Sequence, residues 1–339
     1  MEDKIDILLA TYHPNIQYLK QQIDSLLGQT YPNFKLLIAD DCSNDKEVLA
    51  ILREYEKQDS RITVYEQTKN LGYVKNFEFL LKQSTAPYIM FCDQDDIWYP
   101  NKLEKSLATL KEENVDLVYV NSKQINEQNE VIKENYFQYK NMPLVKGRNE
   151  ILGISRYLGI GCSQILTQAV KDKMIPFTDK VMAHDWLASF IANEGKGVSY
   201  LEEPLFSYRL HTSNVFGGRN LAQNLVRWKE KNGSTYESYL QYRQENVIDK
   251  AYLSGAIMCQ EYTKEEANQK RITNLIQYYE SIRKTKYINL KIWPYFYYLA
   301  GKNLGKKMIK EIMMFHFPWL GYWIFKLNKT PKKKKEENQ

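Results

Sequence analysis

Tyr88-Ile-Met-Phe-Cys-Asp93-Gln-Asp95-Asp96-Ile-Trp98 decides the fold of this chain. An apolar run of strand formers stops abruptly at three carboxylates within four positions. Such crowding is costly at a strand end unless a cation, a nucleotide or solvent relieves the repulsion. The same event occurs earlier, where Lys35-Leu-Leu-Ile-Ala39 runs into Asp40 and Asp41. Two apolar strands ending in aspartates predict one acidic rim above a sheet, the place where open α/β sheets hold ligands.

Working outward, strands are expected at 5–10, 34–39, 61–65 and 88–92, alternating with helices at 16–29, 47–58 and 73–83. Leu19, Ile23, Leu26 and Leu27 mark one face of the first helix at helical spacing. Ser43-Asn44-Asp45 offers capping groups to the second. This rhythm predicts an α/β fold with a mostly parallel central sheet flanked by helices. The G-x-G-x-x-G fingerprint is missing after the first strand, which argues against the usual dinucleotide fold. A helix at 102–111 and a strand at 116–121 follow, then a polar stretch at 123–148 expected to pass over the site. Glycines at 153, 159 and 161 predict a tightly packed bend. His184-Asp185-Trp186 opens a helix, and strands at 198–201 and 205–210 end in His211. Beyond about residue 215 strand signals fade into helical patterns at 221–253 and 265–279. The expected division is a catalytic domain over 1–216 and a helical region over 217–339.

The chain of 339 residues, 43% apolar and 13% aromatic, can bury a large core. Four cysteines without close spacing read as reduced cytosolic thiols. No secretory signal and no apolar run long enough for an ordinary transmembrane helix is visible. Lysine and arginine exceed the acids by 47 to 41, with a run at Lys332 to Lys335. That run fits an anionic surface or a solubilising tail. Trp293-Pro-Tyr-Phe-Tyr-Tyr298 and the aromatic stretch 313–325 lie beside lysines. They predict either an element lying on an anionic membrane or a self-association surface giving a homo-oligomer.

Taken alone, oxygen ligands at a partly open strand end predict Mg²⁺ or Mn²⁺, with a diphosphate as its companion. Asp40-Asp41 by itself reads more often as a turn and helix cap. A nucleic-acid-binding protein would place lysine and arginine where this chain has acids, so no nucleic acid partner is expected. A nucleotidyltransferase would need a glycine-rich basic loop after the first strand, and Ala10-Thr-Tyr-His-Pro14 is not one.

The ordered motifs are more specific. Leu8-Leu-Ala10-Thr11-Tyr12, Gln29-Thr30-Tyr31, Asp40-Asp41-x-Ser43, Asn70-x-Gly72-x-x-Lys75-Asn76, Asp93-Gln94-Asp95-Asp96-x-Trp98 and His184-Asp185-Trp186 occur in that order. Together they resemble the family 2 inverting glycosyltransferases of the GT-A fold. The acidic string and Tyr208-Arg-Leu-His211-x-x-Asn214 look like bacterial rhamnosyltransferases of cell-surface polysaccharide synthesis. The resemblance covers residues 5 to about 216. It implies a nucleotide-sugar donor contacted by Ala10, Thr11, Tyr12, Asp41, Lys75, Asn76, Asp93, Gln94 and Arg209. It further implies Mn²⁺ or Mg²⁺ on Asp95 and His211, and Asp185 as general base. His184, Trp186, Asp96 and Trp98 are expected at the sugar or acceptor. The implied reaction moves L-rhamnose from dTDP-rhamnose to a polyprenyl-diphosphate-linked saccharide, with a UDP-hexose donor as the alternative. The implied location is the cytoplasmic face of the cell membrane, bound peripherally.

Overall fold

The computed structural model describes residues 3–140, 142, 144–149, 158–211, 228–284, 318–319 and 322. The chain divides into two compact units. One is Met1–His211 with Met258–Gln269, the other Thr212–Ile257 with Lys270–Gln339.

In the first unit, strands β1 (Ile5–Thr11), β2 (Phe34–Asp40), β3 (Ile62–Glu66) and β4 (Tyr88–Cys92) alternate with helices. These are α1 (Ile16–Leu27), α2 (Lys46–Gln58) and α3 (Tyr73–Gln83). Each strand is short, and β1, β2 and β4 are largely buried, so their continuous apolar runs suit strands covered on both faces. Caps fix two helix starts: Asn15 accepts from the Gln17 and Tyr18 amides, Asp45 from those of Glu47 and Val48. The remaining elements are β5 (Ile97–Trp98), α4 (Lys102–Glu112), β6 (Leu117–Ile125), β7 (Val131–Lys133) and α5 (Tyr136–Lys140). After them come β8 (Gln164–Thr167), α6 (Gln168–Met174), α7 (His184–Glu194) and β9 (Val198–Arg209).

The nine strands among the described residues join one sheet, ordered β3-β2-β1-β4-β8-β6-β9-β5 with β7 on β6. The expectation of a mostly parallel sheet is corrected here. Four pairings are parallel (β1–β2, β1–β4, β2–β3, β6–β9) and four antiparallel (β4–β8, β5–β9, β6–β7, β6–β8). The physical reason is twofold: β8, a strand of four residues, enters between β4 and β6 from the opposite end, and the short strands β5 and β7 turn back on β9 and β6. The two strands expected at 198–201 and 205–210 are one strand, β9. Its register against β6 shifts near Asn121, which absorbs Pro204 without ending the pairing.

In the second unit, Tyr236–Tyr242 is α-helical and continues as a π-helical segment, Arg243–Leu253. Tyr239 and Tyr242 pack there with Trp228, Tyr236, Leu240 and Tyr322. The aromatic stretches at 293–298 and 313–317 and the lysine runs lie outside the described residues. Among the described residues, no helix is long and apolar enough to cross a membrane.

Candidate active site

Where β4 ends, register places Asp93 beside Ala10 of β1, and the acidic loop then turns into β5. Antiparallel pairing of Ile97 with Ser207 and Trp98 with Phe206 brings that loop against the end of β9. Asp95 Oδ2 lies 2.6 Å from His211 Nε2. Asp96 is fully buried and accepts the Arg209 amide at 3.0 Å.

Arg209 was expected at the donor, and the structure gives it another task. Its Nε donates to the Asp95 carbonyl at 2.8 Å and its Nη2 to Gln21 Oε1 at 2.8 Å. Nη1 reaches Asn129 Oδ1 and the Asn126 carbonyl, and the guanidinium lies 4.2 Å over the Tyr18 ring. The residue is buried and ties α1 and the Asn126–Asn129 turn to the acidic loop.

Beneath the loop sits a lysine that sequence reasoning missed. Lys102 is fully buried, donates to the Cys162 carbonyl at 2.6 Å, and stands 3.3 Å from the Trp98 ring and 4.1 Å from Phe206. Burial holds its ammonium down to about 8, against the pull of neighbouring acids. The available signal was one lysine on the face that α4 otherwise builds from Leu103, Ser106, Leu107 and Leu110. Trp98, expected at the acceptor, is a core ring under this cation, 2% exposed. Asp96, also expected at the sugar or acceptor, is likewise buried.

Burial, then repulsion from Asp95, pushes Asp93 up to about 7. Burial and the same neighbours push Asp96 well up. A site whose carboxylates resist ionisation is one that a cation relieves. Ligand atoms of Asp93, Asp96 and Cys162 lie within 4.8 Å of one another, a candidate metal cluster. Asp96 Oδ2 there is buried without a hydrogen-bond partner of ordinary geometry. The Cys162 thiol, however, is kept protonated by burial, and hard divalent ions favour oxygen. Asp95 and His211, joined by a 2.6 Å hydrogen bond at the same rim, carry the oxygen and imidazole nitrogen that such ions accept.

The floor beside this rim comes from β1 and β2. Thr11 Oγ1 donates to Asp40 at 3.1 Å, and Asp40 also accepts from the Ser43 amide and hydroxyl. Asp41 accepts the Leu71 amide at 2.7 Å and the Gly72 amide at 2.8 Å, pinning the loop before α3. Gly72 has φ +78°, a conformation in which a side chain is strained. Asn76, expected at the nucleotide, is buried and bonds the Ala39 carbonyl at 2.9 Å. Lys75 bonds Glu78 and the Phe177 carbonyl. Gln94 accepts from the Tyr12 amide at 2.8 Å and donates back to its carbonyl at 3.3 Å, while the Tyr12 ring stays 47% exposed. Of the expected donor residues, Ala10, Tyr12, Asp41, Asp93 and Gln94 therefore gather at one rim, whereas Thr11 and Asn76 serve the scaffold.

Asp185 sits in the first turn of α7, where its Oδ1 accepts the Trp186 amide at 2.8 Å. Burial pushes its carboxyl up to about 6, against the lowering effect of backbone amides that include Gly161. Its charge also acts on Asp93, so the two carboxyls are neighbours despite 92 positions of separation. His184 was expected at the sugar. Its ring is instead 6% exposed, with centroids 4.0 Å from Phe77 and 4.5 Å from Phe91. Burial holds it down to about 3, so it is neutral. Trp186, also expected at a sugar face, is buried as well. Gly161 is required by contact, since a Cβ there would meet His184 Nε2 at 2.8 Å.

Residues 6–173 match the family model described as Glycosyl transferase family 2. An uncharacterized glycosyltransferase of Methanocaldococcus jannaschii is 26% identical over 239 residues, 67% of this chain and 80% of that protein. The Escherichia coli UDP-Glc:alpha-D-GlcNAc-diphosphoundecaprenol beta-1,3-glucosyltransferase WfgD is 29% identical over 187 residues, 54% of this chain and 68% of its own length. The crystal structure of S. aureus TarS 1-349 in complex with UDP-GlcNAc shares the fold. Its TM-score is 0.56 at 18% identity, covering 94% of this chain and 86% of that one.

Proposed function

Because the chain is a family 2 glycosyltransferase over residues 6–173, we infer that it transfers a hexosyl group from a UDP-sugar to a saccharide hydroxyl with inversion. The observation that carries this proposal is Asp185, a partly accessible carboxyl pushed up to about 6 beside the acidic rim. Inversion needs one carboxylate opposite the leaving nucleotide, placed to take the acceptor proton as its oxygen attacks C1. Near neutral pH such a group is ionised yet basic enough to take the proton. Tyr12 offers an exposed ring to the base, and Asp41 an acceptor beside the backbone it pins. A divalent ion held by Asp93, Asp95 and His211 would neutralise the departing diphosphate.

The uridine donor is favoured over dTDP-rhamnose by WfgD, whose name specifies UDP-glucose and a diphosphoundecaprenol-linked acceptor. A lipid-linked saccharide is accordingly the proposed acceptor, met at the cytoplasmic face of the membrane. Residues 217–339 are proposed to supply membrane attachment, self-association or both.

A donor-hydrolysis screen with Mn²⁺ or Mg²⁺ over UDP-glucose, UDP-galactose, UDP-N-acetylglucosamine and dTDP-rhamnose tests the donor. Turnover of a UDP-sugar is expected. Turnover of dTDP-rhamnose alone would replace the uridine assignment with the rhamnosyl one.

A further inference from the structure

Arg209 makes its bonds backwards, into the protein, at the one place where both carboxylates of Asp95-Asp96 and the imidazole of His211 converge. Two residues away from His211, its amide holds the Asp96 carboxylate and its Nε holds the Asp95 carbonyl. Gln21 and Asn129 fix the far end of the guanidinium, and both come from segments remote in sequence. Tyr18, three positions before Gln21 on α1, lies under the guanidinium and 5.7 Å from the His211 ring. Residues three apart share a helix face, so one face of α1 supports the arginine and the histidine together.

We propose that Arg209 is a positioning residue which, cradled by Tyr18 and Gln21 of α1 and by Asn129, sets Asp95 at ligand distance from His211. The proposal rests on the metal-dependent transfer inferred above and adds which residues make the ligand pair. An arginine is required because one planar fork must meet Gln21, Asn129 and a backbone carbonyl at once. A lysine offers a single point of attachment. Outer residues that orient metal ligands typically contribute 10–100-fold to affinity.

The test is Mn²⁺ binding to the whole protein, followed by the EPR signal of free ion, beside thermal unfolding and steady-state kinetics. Arg209→Lys and Gln21→Leu should each weaken Mn²⁺ binding about 10-fold or more. Gln21→Glu keeps the acceptor and should restore wild-type affinity. At saturating Mn²⁺ the Gln21→Leu enzyme should recover most of its kcat, a recovery that general loss of structure would not give. Wild-type Mn²⁺ affinity in both Arg209→Lys and Gln21→Leu would overturn the cradle. A raised donor KM in Arg209→Lys with unchanged Mn²⁺ affinity would overturn it too, returning the guanidinium to the donor. A wild-type protein that binds Mn²⁺ normally but hydrolyses no nucleotide sugar would instead refute the functional proposal and leave the cradle standing.

Discussion

Replacing Asp185 with Asn should abolish sugar transfer and, at neutral pH, make the protein more stable. Burial raises this carboxyl from 3.8 to about 6. At 1.36 kcal/mol per pH unit, keeping it ionised in the fold costs about 3 kcal/mol. The sign follows from proton linkage. The native state holds the proton more tightly than the unfolded chain, so stability falls as pH rises from about 4 to 6 and stays lowered above that window. Asn carries no charge and avoids the cost. That cost is already net of the pull of the backbone amides at the first turn of α7. The gain is about 3 kcal/mol at pH 7.5, or about 6–12 °C in Tm for a domain of this size. Near pH 4 the gain should vanish. Paired melts of wild type and Asp185→Asn at both pH values read the stability. Transfer assays should show a loss of about 10²–10⁴-fold or more, with UDP binding retained, and a wild-type rate falling about tenfold per pH unit below 6. A variant destabilised equally at both pH values would show that Asp185 serves α7 as an ordinary terminal carboxylate. Loss of UDP binding together with transfer would equally remove the base assignment.

Two further substitutions probe the surroundings. Lys102→Met removes the ammonium that donates to the Cys162 carbonyl and leaves that buried oxygen unpaired, which should cost about 1–3 kcal/mol in urea unfolding; an unchanged midpoint would mean that the cost of burying the ammonium offsets the bond. Gly161→Ala drives a methyl toward His184 and should cost about 1–3 kcal/mol. It should also lower kcat more than it raises donor KM, because the displaced histidine immediately precedes the base, and unchanged kcat would separate the two.

The first four β-α units were legible because apolar periodicity and capping residues such as Asn15 and Asp45 are local signals. The mixed half of the sheet was not. β8 has four residues, and nothing in Gln-Ile-Leu-Thr states which neighbour it joins or in which direction. The acidic rim stood out because crowded carboxylates after apolar runs demand a reason, whereas Asp185 came to notice only through the resemblance carried by the ordered motifs. What sequence concealed was division of labour within the motifs. Asp95 and Asp96 look alike on paper, yet one touches His211 and the other the Arg209 amide. Arg209, Trp98, His184 and Trp186 carry groups that suit ligands, and all four are buried. Burial of a polar group depends on partners far along the chain, such as Gln21 for Arg209, and no local pattern encodes them.

The Arg209 cradle also bears on the order in which the molecule can be born. Asp95 and Asp96 leave the ribosome more than a hundred residues before the arginine that holds them. At about 5–20 residues per second, synthesis reaches Arg209 only after about 10–40 s. Until β9 docks, the acidic loop has neither its arginine nor His211, and the nascent chain is a sheet with an unfinished rim. If Asp95 and His211 hold a divalent ion as proposed, its capture would be one of the last events of maturation, because a half-made chain has no assembled pair with which to sequester metal from the cell.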